Sequence, residues 1–202
     1  MHALLNTTDR IVGRLVARVD TLDALGPALA RPDCLLAVYE RRPDPALAAL
    51  DTLAFEAIDP IDMVMPVATL DGDVPVALGL AGYPGGVTEA LAADVVRLAR
   101  LHAAIRTVTR VRIRLEWIVT DACKRFHADY VTTRLLVTYR GAGTQWIDAA
   151  RPQAIGQVPG HAVAMLKGRL LAPEPRLLHR SPPVADVEGA RLLLVIDPID
   201  DA

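Results

Sequence analysis

The order of apolar and polar positions divides the chain into a mixed first half and a strand-rich second half. Leu91, Val95, Leu98 and Ile105 recur at helical spacing, which predicts a helix with Thr88 as N-cap, Glu89 in its first turn and an end near Arg106–Thr107. Before it, the run 35–39 (LLAVY) reads as a short buried strand stopped by Arg41, Arg42 and Pro43. A helix is predicted next, with Asp44 as its cap and Pro45 in its first turn. Residues 60–75 are mixed, and the stretch carrying Gly79, Gly82, Pro84, Gly85 and Gly86 reads as a loop.

From residue 109 the period changes to two. Residues 111–119 alternate apolar with charged, and 134–139, 144–147, 162–166 and 191–196 follow as further strands with glycine-bearing turns between them. The pattern predicts an α+β chain in one domain over 1–202. A mostly helical N-terminal layer, 1–108, would cover a β-rich sandwich or barrel, 109–202.

Composition supports a packed core: hydrophobic residues make up 52% of the 202 positions and charged residues 23%. Aromatic content is 4%, so Leu, Val, Ile and Ala must fill that core. The formal charge of −2 comes from interspersed signs, which argues against a nucleic-acid surface. Arg106, Arg110, Arg112 and Arg114 form a local basic run, and strand alternation places the last three on one solvated face. Cys34 and Cys123 are far apart, so a reducing cytoplasm and no disulfide are expected. The opening MHALLNTTDRIVGRL does not read as a signal peptide, and no apolar run is long enough to suggest a membrane span. A small-molecule partner is expected; the oligomeric state is open.

The candidate chemistry lies in 123–130 (CKRFHADY). On an extended strand His127 and Asp129, two apart, present an imidazole and a carboxylate to one point. That is two thirds of the facial triad that holds non-haem Fe(II). His179, 50 residues beyond Asp129 and just before the final strand, is the candidate third ligand. Arg191, opening the last strand, is the natural partner for an oxyacid carboxylate such as the far end of 2-oxoglutarate. Arg134 is a second candidate for an anion. Cys123 could add a thiolate and turn the preference toward zinc. Lys167, Arg180, Tyr139 and Trp146 are weaker candidates. His2 and His161 have poorer contexts, His161 reading as a turn residue, and His102 reads as a packing or surface residue on the helix.

The segments FHADYVTTRLLVTYRGAGTQW, VPGHAVAMLKG, LLHRSPPV and RLLLVID resemble DUF1826, a bacterial family of unknown function. The likeness spans residues 110–197 and, more loosely, LLAVYERR. Their order is also similar to that of the Fe(II)/2-oxoglutarate dioxygenase superfamily. That resemblance implies a double-stranded β-helix (a jelly-roll or cupin-like core), with His127, Asp129 and His179 as metal ligands and Arg191 as the 2-oxoglutarate anchor. Two other readings stand beside an oxygenase: a zinc-binding protein of the same fold in metal handling or hydrolysis, and a non-catalytic binding protein.

Overall fold

The computed structural model describes residues 14–121, 123–183 and 190–199; His2 and the rest of the opening stretch lie outside them. The chain order is β1 (Val16–Val19), α1 (Leu25–Ala30), β2 (Leu36–Tyr39), β3 (Ile61–Pro66), α2 (Leu70–Leu80) and α3 (Gly85–Arg106). After these come β4 (Arg110–Ile118), β5 (Thr133–Arg140), β6 (Gln145–Asp148), β7 (Gly156–Gln157), β8 (Val163–Lys167), β9 (Leu177–Arg180) and β10 (Arg191–Ile199).

Seven strands form one sheet in the order β1-β2-β8-β5-β10-β4-β3, and three form a second, β7-β6-β9. Every neighbouring pair in the large sheet is antiparallel except β1 with β2.

The run RLLLVI of β10 lacks alternation because both faces of the strand are covered. Leu192, Leu194 and Ile196 pack with Leu91, Val95 and Leu98 of α3 in the larger core. Leu193 and Val195 join Leu136, Ala164, Leu166 and Leu177 in a second core on the opposite face. On β4 the alternation predicted from the sequence holds: Val111, Ile113 and Leu115 are buried, and Arg110 and Arg112 are exposed. The other face of β4, β5 and β10 therefore carries Arg114, Glu116, Arg134, Thr138, Arg191 and Asp197. This face looks toward the candidate site.

The N-terminal half is less helical than its sequence suggests. β1, β2 and β3 all belong to the large sheet. Asp44 does cap the next element, its side chain accepting from Ala46 N at 2.9 Å, but that element is a 3-10 helix over Pro45–Thr52. α2 runs through a stretch expected to be partly mixed and partly loop. Leu70, Val74, Ala77 and Leu78 bury one stripe, while Asp71 and Asp73 suit the positive N-terminal end. Pro75 removes one backbone donor from the helix, and the buried stripe overrides that loss. α3 starts at Gly85, three residues before the expected cap. Thr88 instead returns its hydroxyl to Tyr83 O and Pro84 O. It ends as predicted at Arg106, with Thr107 left-handed at φ 56°. No helix among the described residues is long and apolar enough to cross a membrane.

Candidate metal centre

His127 and Asp129 do not lie on a regular strand. His127 makes a single antiparallel bridge to His179, with His127 N donating to His179 O at 3.0 Å and His179 N to His127 O at 2.8 Å. His179 belongs to β9, an element the sequence pattern missed. The bridge brings the two imidazoles to one side, with ring centroids 4.7 Å apart. Asp129 sits in the coil that follows, pinned by its carbonyl, which accepts from Arg169 N at 2.8 Å.

One ligand atom from each of His127, Asp129 and His179 lies within 4.8 Å of the others. His127 Nδ1 is 2.8 Å from Arg125 O. A carbonyl only accepts, so Nδ1 carries the proton and Nε2 is left with its lone pair. His127 Nε2 is 3.7 Å from Asp129 Oδ1, and His179 Nε2 is 3.0 Å from Asp129 Oδ2. Oδ2 is buried and, apart from the His179 imidazole, has no hydrogen-bond partner. Such an oxygen carries a desolvation cost of about 1–3 kcal/mol or more, which a bound cation removes. Burial would raise the Asp129 carboxyl, but the adjacent His179 imidazole, with Arg134 and His127, outweighs it and lowers the group to about 2. Two imidazole nitrogens and one ionised carboxylate fit a divalent transition metal.

His127 and His179 open on a cavity of about 80 Å³ also lined by Cys123, Arg134, Thr144, Arg180 and Ser181. Larger clefts, of about 720 and 540 Å³, lie against the helices and hold none of the triad.

Arg191 is 2% exposed. Its guanidinium donates to Ala142 O at 2.5 Å, Ser181 Oγ at 2.7 Å, Thr138 Oγ1 at 3.2 Å and Thr144 Oγ1 at 3.4 Å. All four acceptors are neutral. Burial pulls its pKa well below the ordinary arginine range, to about 10, with Cys123 acting in the opposite direction. Among the described residues no carboxylate neutralises this buried cation, which leaves its charge available to an anion. Ser181 and Thr144 carry its reach to the cavity wall. The sequence reading named none of these hydroxyls, although Ser181 stands two residues past His179 and period-two spacing from Arg134 points to Thr138.

Arg134 has different partners from those the sequence suggested. Its Nη1 is 2.5 Å from Asp129 Oδ1, while Nε and Nη2 grip Asp197 at 2.7 and 2.8 Å. Both anions it binds are the protein's own, so its charge is not left for a cofactor. Asp197, unremarked in the sequence, is the lone acid among apolar residues of β10, and its burial called for cationic partners.

Cys123 is exposed and lines the cavity but is not in the clustered ligand set. Arg180 also lines it, stacked 4.4 Å over Phe126 and donating to Gln145 Oε1 at 2.8 Å. Lys167 donates to Arg31 O, away from the triad. Trp146 packs against the second core. Tyr139 faces the helices, where its hydroxyl donates to Asp94. His161 is a turn residue at φ 61°. His102 is fully buried with Nε2 2.7 Å from Thr133 Oγ1.

Two solved structures resemble the chain over most of its length. A dioxygenase for auxin oxidation from rice matches with a TM-score of 0.55 and 14% identity, covering 91% of this chain and 83% of that one. A prolyl-4-hydroxylase from Pseudomonas putida matches with a TM-score of 0.50 and 13% identity, covering 90% and 100%. At such identities the likeness shows the fold, the jelly roll of these oxygenases within an α+β chain. No curated protein sequence matches the chain. The model of one family, described as a protein of unknown function (DUF1826), matches residues 27–197, and the chain belongs to that family.

Proposed function

We propose that the protein is a non-haem Fe(II)- and 2-oxoglutarate-dependent oxygenase acting on a small molecule or a side chain. The observation that carries this reading is the convergence of His127, Asp129 and His179 around a buried carboxylate oxygen served only by the His179 imidazole. These three residues would hold iron(II). When bound, the metal supplies the one-electron chemistry that lets dioxygen oxidise a C–H bond.

The protein's own part is positioning. Arg125 O keeps the His127 proton on Nδ1, so that Nε2 faces the metal position. Arg191, which meets the cavity wall through Ser181 and Thr144, would supply the charge that holds the far carboxylate of 2-oxoglutarate. The fold shared with a dioxygenase and a hydroxylase agrees with this assignment. A zinc reading draws on Cys123 at the same cavity and would require its thiolate to join the ligand set.

Anaerobic addition of Fe(II) and 2-oxoglutarate is expected to give a weak visible charge-transfer band that His179→Ala abolishes, and admission of air is expected to yield succinate. Absence of both band and succinate overturns the proposal. Zinc retained through Cys123, and lost in Cys123→Ser, favours the alternative.

A further inference from the structure

Asp129 is the one clustered ligand outside the β-bridge: Arg169 N holds its carbonyl, but that contact does not orient its side chain. His127 and His179 hold each other through reciprocal main-chain bonds, whereas Asp129 lies in coil and its side chain is free to rotate unless something grips it. The side chain that grips it is Arg134. We infer that Arg134 is a positioning residue: it occupies Oδ1 of Asp129 and so presents Oδ2, and only Oδ2, to the metal. This rests on the metal reading above.

The geometry is specific to a guanidinium. The Nε/Nη2 edge of Arg134 takes both oxygens of Asp197, and the remaining Nη1 stands 2.5 Å from Asp129 Oδ1. Asp197 also accepts from Arg114 Nη2 at 3.1 Å. Arg134, Asp197 and Arg114 stand on β5, β10 and β4, three adjacent strands of the large sheet. The coil carboxylate is thereby tied to three hydrogen-bonded strands of the large sheet.

The two guanidiniums balance the two carboxylates, so the network adds no net charge to repel a cation. A network serving stability alone would aim a dedicated donor at each buried carboxylate oxygen, whereas Asp129 Oδ2 is left to the His179 imidazole, itself one of the clustered ligands. A lysine has no planar fork with which to hold Asp197 and Asp129 together.

Removing a residue that orients a metal ligand costs 10- to 100-fold in affinity. The test is Mn(II) binding to the full chain, followed by the electron paramagnetic resonance of free Mn(II), beside melting curves of the metal-free proteins. Arg134→Gln and Arg134→Lys are both expected to weaken Mn(II) binding by about 10- to 100-fold while the metal-free proteins remain folded at the assay temperature. Asp197→Asn, which leaves the Arg134–Asp129 contact in place, is expected to give a smaller loss, and it carries the test if the Arg134 variants do not fold. Mn(II) binding unchanged within about twofold in the folded variants overturns the inference and leaves the metal site standing. Failure of the wild-type protein to bind Mn(II) removes the functional reading itself.

Discussion

Replacing Arg191 by Met separates a ligand receptor from a structural strut. Burial disfavours the charge of the guanidinium and brings its pKa from the ordinary arginine range down to about 10. The unfolded chain therefore holds this proton more tightly. At every pH below about 10 the charge works against folding, by about 3 kcal/mol. Arg191→Met removes that penalty and forfeits hydrogen bonds to Ala142, Ser181, Thr138 and Thr144, each worth about 1 kcal/mol net. The two effects nearly cancel, so the metal-free variant should differ from wild type by less than about 2 kcal/mol in urea unfolding. Ligand binding should behave differently. Losing one partner of a buried charge pair costs about 2–5 kcal/mol, enough to abolish the stabilisation of about 2.7 kcal/mol that 2-oxoglutarate gives at one hundred times its dissociation constant. The assay is unfolding with Mn(II) present, with and without 2-oxoglutarate. Persistence of the 2-oxoglutarate stabilisation in the variant, or a loss of more than about 4 kcal/mol without ligand, refutes the assignment.

Three further predictions concern the scaffold. Burial pushes His102 from 6.5 down to about 4, so on acidification the unfolded chain protonates first. Stability at pH 4.5 should be lower than at pH 7.5 by about 2–3 kcal/mol on this account, and His102→Gln should flatten that slope in paired urea titrations. Asp94 accepts from Arg41 at 2.5 Å through each oxygen and from the buried Tyr139 hydroxyl at 2.6 Å; Asp94→Asn should cost about 3–5 kcal/mol by leaving Arg41 unpaired, read as a lowered melting temperature. A Cβ on Gly143 would lie 1.8 Å from Val158 O, so Gly143→Ala should cost about 2 kcal/mol or more and weaken 2-oxoglutarate binding by moving the neighbouring Ala142 and Thr144; normal melting of that variant would contradict the packing.

The second half of the chain was legible because its strands obey simple periodicities. The alternation of β4 and the unbroken apolar run of β10 follow from one covered face and two covered faces respectively. The site residues were legible as residue types, since an imidazole and a carboxylate two apart, a later histidine and an arginine opening the last strand are the groups a metal and an oxyacid require. Their mechanical setting was not. The sequence places His127 and Asp129 on a strand, but one backbone bridge orients His127, and a guanidinium from another strand orients Asp129. Such long-range contacts leave no mark in local spacing. Arg134 shows the same limit: an arginine near a ligand suggests anion binding, and only the fold reveals that its anions are Asp129 and Asp197. In the first half, Pro75 and Gly79 masked α2, whose apolar stripe at 70, 74, 77 and 78 was the better signal. The short strands β1 and β3 carry too few residues for their period to be decisive, and pairing with β2 and β4 defines them.

The central claim is that one site joins a metal on two histidines and an aspartate to a carboxylate on Arg191. A crystal structure grown without oxygen in Mn(II) and 2-oxoglutarate tests it most directly. The account predicts anomalous density bonded to His127 Nε2, Asp129 Oδ2 and His179 Nε2, with the far carboxylate of 2-oxoglutarate on the Arg191 guanidinium. Metal bound elsewhere, or 2-oxoglutarate that does not meet Arg191, would contradict it.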